Sequence, residues 1–338
     1  MLDMLENSGI SQERKKSKWP LIIFIIMLII ISLFAILALN VFRASKKLMQ
    51  LPPKDYKLVS SHLMPNYDNV TFSPPNSELK LDGWFFKCQN EFRGNILFLH
   101  DNRANKLQFD LESAKLFAFF QEQGFNVFTF DMRHSGLSEG DSSSYGFAEY
   151  KDVLGALQAM QKLSAAKDFI LYGLGTGVNS ALFAWDALPE EISPEAIAES
   201  KNPEALISRK DIKGFIFDTP SSSSYDYIQA ELKQDSFVQK HLYYKYIPKM
   251  VRISSGGPNY TNLIPLIGHI EVPIMITRNI PDNKIKQSSI DAFISECIRL
   301  KSESVFISGT HQAGHLEGFL QDPEQYLEDL TYFLNIYF

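Results

Sequence analysis

The stretch LYGLGTGVNSAL, residues 171–182, decides how the chain folds. An apolar run, Phe169-Ile170-Leu171-Tyr172, stops at a glycine-rich corner and resumes as a helical pattern from Thr176. A strand that turns sharply into a helix lifts one residue out of the backbone. In enzymes that use such a nucleophile elbow the frame is G-x-S-x-G, and the lifted residue is a serine. Here the frame is Gly173-Leu174-Gly175-Thr176-Gly177, and the lifted position has no side chain.

Similar apolar runs lie on both sides: NILFLH (95–100) and NVFTFD (126–131) upstream, then GFIFD (214–218), PIMITRN (273–279) and SVFISG (304–309) downstream. Unbroken apolar runs of this length mark strands covered on both faces, as in a parallel sheet. Helical stretches over about 107–123, 147–163 and 322–336 alternate with them. The spacing predicts an α/β domain with a doubly wound, mostly parallel sheet and a site at the strands' carboxyl ends. Ahead of it, residues 67–87 read as two short antiparallel strands around a Pro-Asn-Ser turn. Residues 189–211, rich in Pro, Glu and Ala, read as a surface insertion. The Tyr- and Lys-rich stretch over about 221–268 has the length of a small helical cap. Gly173-x-Gly175-x-Gly177 is not a dinucleotide site, because that signature is G-x-G-x-x-G and position 178 is Val.

From Leu21 to Leu39 the chain carries no charge. Nineteen helical residues at about 1.5 Å each nearly match a hydrocarbon core of about 30 Å. The run exceeds a signal peptide's apolar region and leads into Arg43, Lys46 and Lys47, so an uncleaved single-pass anchor is expected. The expected division is a basic tail (1–20), the anchor (21–42), a linker (43–64) and one globular domain (65–338). Basic residues flank both ends of the span; the short tail with Arg14, Lys15, Lys16 and Lys18 slightly favours an extracytoplasmic domain.

Hydrophobic residues make up 45% and charged residues 21%, enough apolar content to bury a large core. A net charge of −6 gives no electrostatic footprint for nucleic acid. Cys88 and Cys297 have neither metal-ligand spacing nor the number for a disulfide framework, and read as two unrelated buried thiols, with a single disulfide between them the alternative. No metal or cofactor is expected. The expected partners are the bilayer and a small-molecule or protein ligand that the sequence leaves unidentified.

Five stretches in order, LFLHDN (97–102), DMRHSGLSEG (131–140), YGLGTG (172–177), NIPDNKI (279–285) and GHLEGFLQDPEQY (314–326), resemble the α/β-hydrolase superfamily. The likeness is to its bacterial serine-hydrolase branch, which carries D-x-R-x-x-G-x-S-x-G after the fourth strand, and it covers residues 65–338. The resemblance implies an acid at Asp282 and a base at His315, with His311 a rival four residues earlier. It implies an oxyanion hole from the backbone amides of Asp101 and Thr176, and it puts Gly175 at the nucleophile's position. Two departures point the same way. Gly175 offers no oxygen, and Asp101 stands where a small residue is usual, so that an inward carboxylate would oppose developing negative charge.

Other hydroxyls are poorly placed to substitute. Thr176 opens the helix, with a side chain expected to point away from the lifted position. Ser180 lies a turn further, Ser135 and Ser138 belong to the D-x-R loop, and Ser221 to Ser224 have no strained turn to aim them. The corner also resembles that of the N-myc downstream-regulated proteins, which have glycine at this position and are regarded as non-hydrolytic. The leading expectation is therefore a degenerate, non-catalytic serine hydrolase that keeps Asp and His. The alternatives are an ester or amide hydrolase using a non-standard nucleophile or water, and an interaction module built on the cap.

Overall fold

The computed structural model describes residues 17–55, 60–200, 202–232, 244–311 and 313–338. The expected tail up to residue 16, part of the linker (56–59) and part of the cap (233–243) lie outside the described residues.

Helix α1 (Trp19–Met49) is unbroken over 31 residues, and Pro20 falls in its first turn, where a missing N–H costs no hydrogen bond. The side chains from Trp19 to Ile36 touch no other part of the protein closely enough to be buried. Lower down the character changes. Val41, Ser45, Leu48 and Met49 are buried, and their spacing puts them on one face. That face packs on a helix of the cap, Ile247–Ser255. Residues 43–49, expected as linker, thus continue the helix because their apolar positions keep the helical period.

The domain holds an eight-stranded sheet in the order β1-β2-β4-β3-β5-β6-β7-β9. Its strands are β1 (Asp68–Phe72), β2 (Leu81–Phe86), β3 (Gly94–Leu99), β4 (Phe125–Phe130), β5 (Phe169–Leu174), β6 (Ile212–Asp218), β7 (Ile274–Thr277) and β9 (Val305–Ile307). β1 and β2 run antiparallel, as the Pro-Asn-Ser turn predicts, and β2 meets β4 antiparallel; the pairs from β4 to β9 are parallel.

Alternation along the strands separates two apolar cores. Ile96, Phe98, Ile170 and Tyr172 face helix α2 (Ser113–Glu122) and the C-terminal helix Pro323–Tyr337. Leu97, Leu99, Phe169 and Leu171 face α3 (Tyr150–Ser164) and α4 (Thr176–Ala187). With helices on both faces, the sheet is doubly wound. Two further strands of two residues each, β8 (Asn279–Ile280) and β10 (Thr310–His311), pair in parallel beyond the main sheet. This small ladder ties the loop carrying Asp282 to the loop carrying His315.

Candidate functional site

The corner is formed as the sequence implies. Gly175 has φ +56° and ψ −117°, a conformation that strains any residue with a β-carbon. The flanking glycines answer to sterics. A β-carbon on Gly173 would stand 2.7 Å from the Val178 nitrogen, and one on Gly177 would strike the Leu99 carbonyl. Helix α4 therefore lies directly on the backbone of β3 and β5.

The space over Gly175 is filled from the side. A β-carbon built there would lie 2.5 Å from Asp101 Oδ1, 2.7 Å from its Cγ and 3.1 Å from Leu316 Cδ1. Asp101 follows the end of β3, and its Oδ1 accepts hydrogen bonds from the Thr176 amide and the Thr176 hydroxyl, each at 2.9 Å. Thr176 is the first residue of α4, where an amide has no intrahelical acceptor and a carboxylate is favoured. The Thr176 side chain consequently turns toward the lifted position, against expectation. Its hydroxyl also accepts from the Asn102 amide at 2.6 Å. The Asp101 amide donates to Gln108 Oε1 at 2.9 Å. Both amides expected to form the oxyanion hole are thus engaged within the protein.

Asp101 Oδ2 faces two nitrogen groups: Lys284 Nζ at 3.5 Å and His315 Nε2 at 3.9 Å. Lys284 also meets Glu231 Oε1 at 3.3 Å, and Glu231 Oε2 lies 3.9 Å from Arg103 Nη1. Glu231 belongs to the first cap helix, Tyr225–Leu232, so a chain of alternating charges runs from the corner into the cap. Burial pushes the Asp101 carboxyl up, but Lys284, His315 and the Thr176 donors outweigh it and hold it below the usual carboxylate value. Burial likewise pulls Lys284 down, and Asp101 and Glu231 reverse that, leaving it raised.

Asp282 and His315 come together. Asp282 Oδ2 lies 2.8 Å from His315 Nδ1, while its Oδ1 accepts the amides of Lys284 at 2.8 Å and Ile285 at 2.6 Å. Burial raises the Asp282 carboxyl; the hydrogen bond and charge of His315, with those two amides, bring it below its ordinary value. His315 Nε2 is buried and has no hydrogen-bond partner among the described residues. Among the described residues no hydroxyl hydrogen-bonds the base. Ser180 Oγ donates to the Thr176 carbonyl, Ser138 Oγ to the Asp131 carbonyl and Ser221 Oγ to the Ser223 carbonyl. The side chain of His311 lies outside the described residues.

The D-x-R loop is scaffold. Asp131 accepts the Lys106 amide at 2.7 Å, Lys106 Nζ at 2.6 Å and the Leu137 amide at 2.9 Å. Arg133 grips Asp152, with Nη2 at 2.6 Å from Oδ1 and Nε at 3.0 Å from Oδ2. Burial pushes the Asp152 carboxyl up to about 6 despite that arginine. His100 accepts the Met132 amide on Nε2 at 2.9 Å, so Nδ1 carries the proton it shares with the Asp101 carbonyl at 2.7 Å. Burial lowers its pKa and keeps the ring neutral.

Sequence reasoning missed Lys284 and Glu231. Lys284 follows Asp282 by two residues and was in plain view; Glu231 enters only through the fold of the cap. Both cysteines are free thiols; Cys297 is buried as expected, while Cys88 is half-buried because it lies just past the end of β2. Among the described residues no group of three or more His, Cys, Asp or Glu is placed to hold a metal ion.

No family model matches the chain, and neither does any curated protein. Solved structures do. The esterase Pf2001 of Pyrococcus furiosus aligns with 85% of this chain and 99% of its own, with a TM-score of 0.62 at 17% identity. The alpha/beta hydrolase GrgF from Penicillium sp. sh18 aligns over 80% and 99%, with a TM-score of 0.53 at 17% identity. The acylaminoacyl peptidase of Pyrococcus horikoshii aligns over 81% of this chain but 41% of its own, with a TM-score of 0.53 at 14% identity. The chain has the α/β-hydrolase fold.

Proposed function

We propose that this chain is a single-pass membrane protein whose α/β-hydrolase-fold domain does not perform serine-hydrolase chemistry and instead binds a ligand or partner. One observation carries the reading: Asp101 Oδ1 lies 2.5 Å from where the first side-chain atom of residue 175 would be, and it takes up the Thr176 amide. An acyl-enzyme needs an oxygen nucleophile within about 2.6–3.2 Å of the base and free donors for the oxyanion. A fixed carboxylate in place of both opposes the negative charge that acyl transfer would develop there. The basic residues ahead of the span favour an outward-facing domain, which protease accessibility on intact cells tests.

The experiment for function is a fluorophosphonate probe on the full chain in membranes. No labelling is expected. Labelling abolished by a single Ser or Thr substitution overturns the reading.

A second reading draws on the approach of Asp101 Oδ2 to His315 Nε2, at 3.9 Å. There Asp101 itself displaces a leaving group from a saturated carbon and becomes an alkyl ester at Cγ. Water deprotonated by His315 then attacks Cγ, with the charge developing on Oδ1 against the Thr176 donors, and collapse breaks the Cγ–Oδ2 bond, releasing the alcohol with the proton from His315 and regenerating the carboxylate. Turnover in oxygen-18 water would deposit the label in the Asp101 carboxylate under this reading and leave it unlabelled under the first.

A further inference from the structure

We infer that the second cap helix, Ile247–Ser255, together with the basic turns of α1, forms a binding surface for anionic phospholipid headgroups of the bilayer that α1 spans. The inference rests on the reading of α1 as a membrane span.

The first ground is position. Leu37 already packs against the domain core, although it lies within the uncharged run that ends at Leu39. Val41, Ala44, Leu48 and Met49 continue that contact down one side of the helix. At about 1.5 Å per residue, the distance from Leu37 to Met49 is about 18 Å. The headgroup layer on each face of a bilayer is roughly 5–8 Å deep. The wall of the domain therefore starts at the hydrocarbon boundary, and the cap helix packed against α1 stands in or beside the headgroup layer. Because α1 is unbroken, no hinge can lift the domain away from that level.

Chemistry is the second ground. Tyr246, Lys249 and Ile253 are exposed and spaced to share one face; Tyr246 is 46% exposed and Ile253 55%. An aromatic ring, an aliphatic side chain and a lysine able to extend its amine outward form the composition that suits a membrane–water boundary.

Charge is the third. Arg43, Lys46 and Lys47 on α1, and Lys245 and Lys249 at the cap helix, are all exposed. Among the described residues, none of the five forms an ion pair with a carboxylate, although the chain as a whole carries a net charge of −6. A cluster of unanswered cations beside the end of a membrane span complements an anionic leaflet. Each cation near such a surface strengthens the attachment about fivefold.

The test uses the full chain in nanodiscs, with Cys88→Ser to remove the half-buried thiol and a fluorophore on Ile253→Cys. Discs of phosphatidylcholine alone are compared with discs that also contain phosphatidylglycerol. Quenching of the label by acrylamide, a neutral quencher that an anionic surface does not repel, is expected to fall in the anionic discs, and Lys245→Glu with Lys249→Glu is expected to reverse most of that protection. Equal quenching in both kinds of disc overturns the inference. So does protection that follows the number of protein copies per disc rather than the lipid, which would assign the face to a second copy. A label on Ser254→Cys repeats the measurement if the first variant folds poorly. A label on Ile30→Cys reports the span separately: if the quencher reaches it, the membrane reading has failed, whereas a shielded Ile30→Cys with an indifferent Ile253→Cys refutes the headgroup surface alone.

Discussion

The carboxylate of Asp101 and the bare Cα of Gly175 share one space, with 2.5 Å between Oδ1 and any β-carbon that residue 175 could carry. The pair is mutually dependent. Asp101 can reach the Thr176 amide only because residue 175 is glycine, and a residue with a side chain could fit only if Asp101 withdrew.

Restoring the missing serine alone is therefore expected to fail. Gly175→Ser meets both the Asp101 carboxylate and an unfavourable φ, and should lower the melting temperature without creating esterase activity. Asp101→Gly combined with Gly175→Ser vacates the oxyanion position and supplies an oxygen beside His315. Hydrolysis of p-nitrophenyl acetate by the double variant should exceed either single variant by at least about tenfold, since serine, base and oxyanion donors act as a unit. Activity in Gly175→Ser alone would show that Asp101 yields easily.

Asp282 leaves a signature in the pH dependence of stability. Its carboxyl is held below the ordinary value in the folded state, so the stabilisation is complete above the unfolded value of about 3.9 and is lost as pH falls through the folded value. Thermal unfolding of Asp282→Asn should show a lower melting temperature than the parent at neutral pH. The gap should close progressively below about pH 4. A gap independent of pH would mean that the carboxylate's charge contributes nothing.

The D-x-R loop should be sensitive to loss of its buried cation. Lys106 Nζ sits 2.6 Å from both Asp131 and Asp82, and the side chains of Lys106 and Asp131 are fully buried. Removing one partner of a buried pair costs about 3–5 kcal/mol. Lys106→Met should lower the urea midpoint accordingly, and adding Asp131→Asn should recover part of the loss.

The lower turns of α1 belong energetically to the domain. A chain beginning at Leu37 should keep the parent's melting temperature, whereas one beginning at Gln50 loses the burial of Val41, Leu48 and Met49. Each such side chain contributes up to about 1.5–3 kcal/mol. Scanning calorimetry of the two truncations should separate them, with the shorter one aggregating through its uncovered cap helix.

Sequence patterning carried the sheet because buried strands announce themselves as unbroken apolar runs; 95–100 and 126–131 each fall within a residue of β3 and β4, and the run from Phe169 to Tyr172 opens β5. The edge was less legible. β9 has three half-buried residues where the pattern suggests six, since an edge strand has little apolar surface to reveal it. The helix expected from 107 begins with a single tight turn at Asp110, because the segment before it is drawn inward by Lys106. In the site, the spacing of Asp282 and His315 was readable as a motif. The inward turn of Asp101 was not, since it depends on the corner at Gly175 and Thr176 and on Lys284, two places far from residue 101 in the chain. The helical turns after Arg43 were readable in principle: Val41, Ser45, Leu48 and Met49 keep the period, but the surrounding charges disguise it.

On the proposed reading of α1 as a membrane span, an anchor without a hinge would also make the domain sensitive to the thickness of its surroundings. An apolar span longer than the local hydrocarbon layer relieves the excess by tilting. Helix α1 is stiff from Trp19 to Met49 and fixed to the cap at its lower end, so that tilt passes undiminished into the globular part, like the handle of an oar moving its blade. The direction in which the Asp101 pocket faces would then be set partly by the membrane rather than by the protein alone.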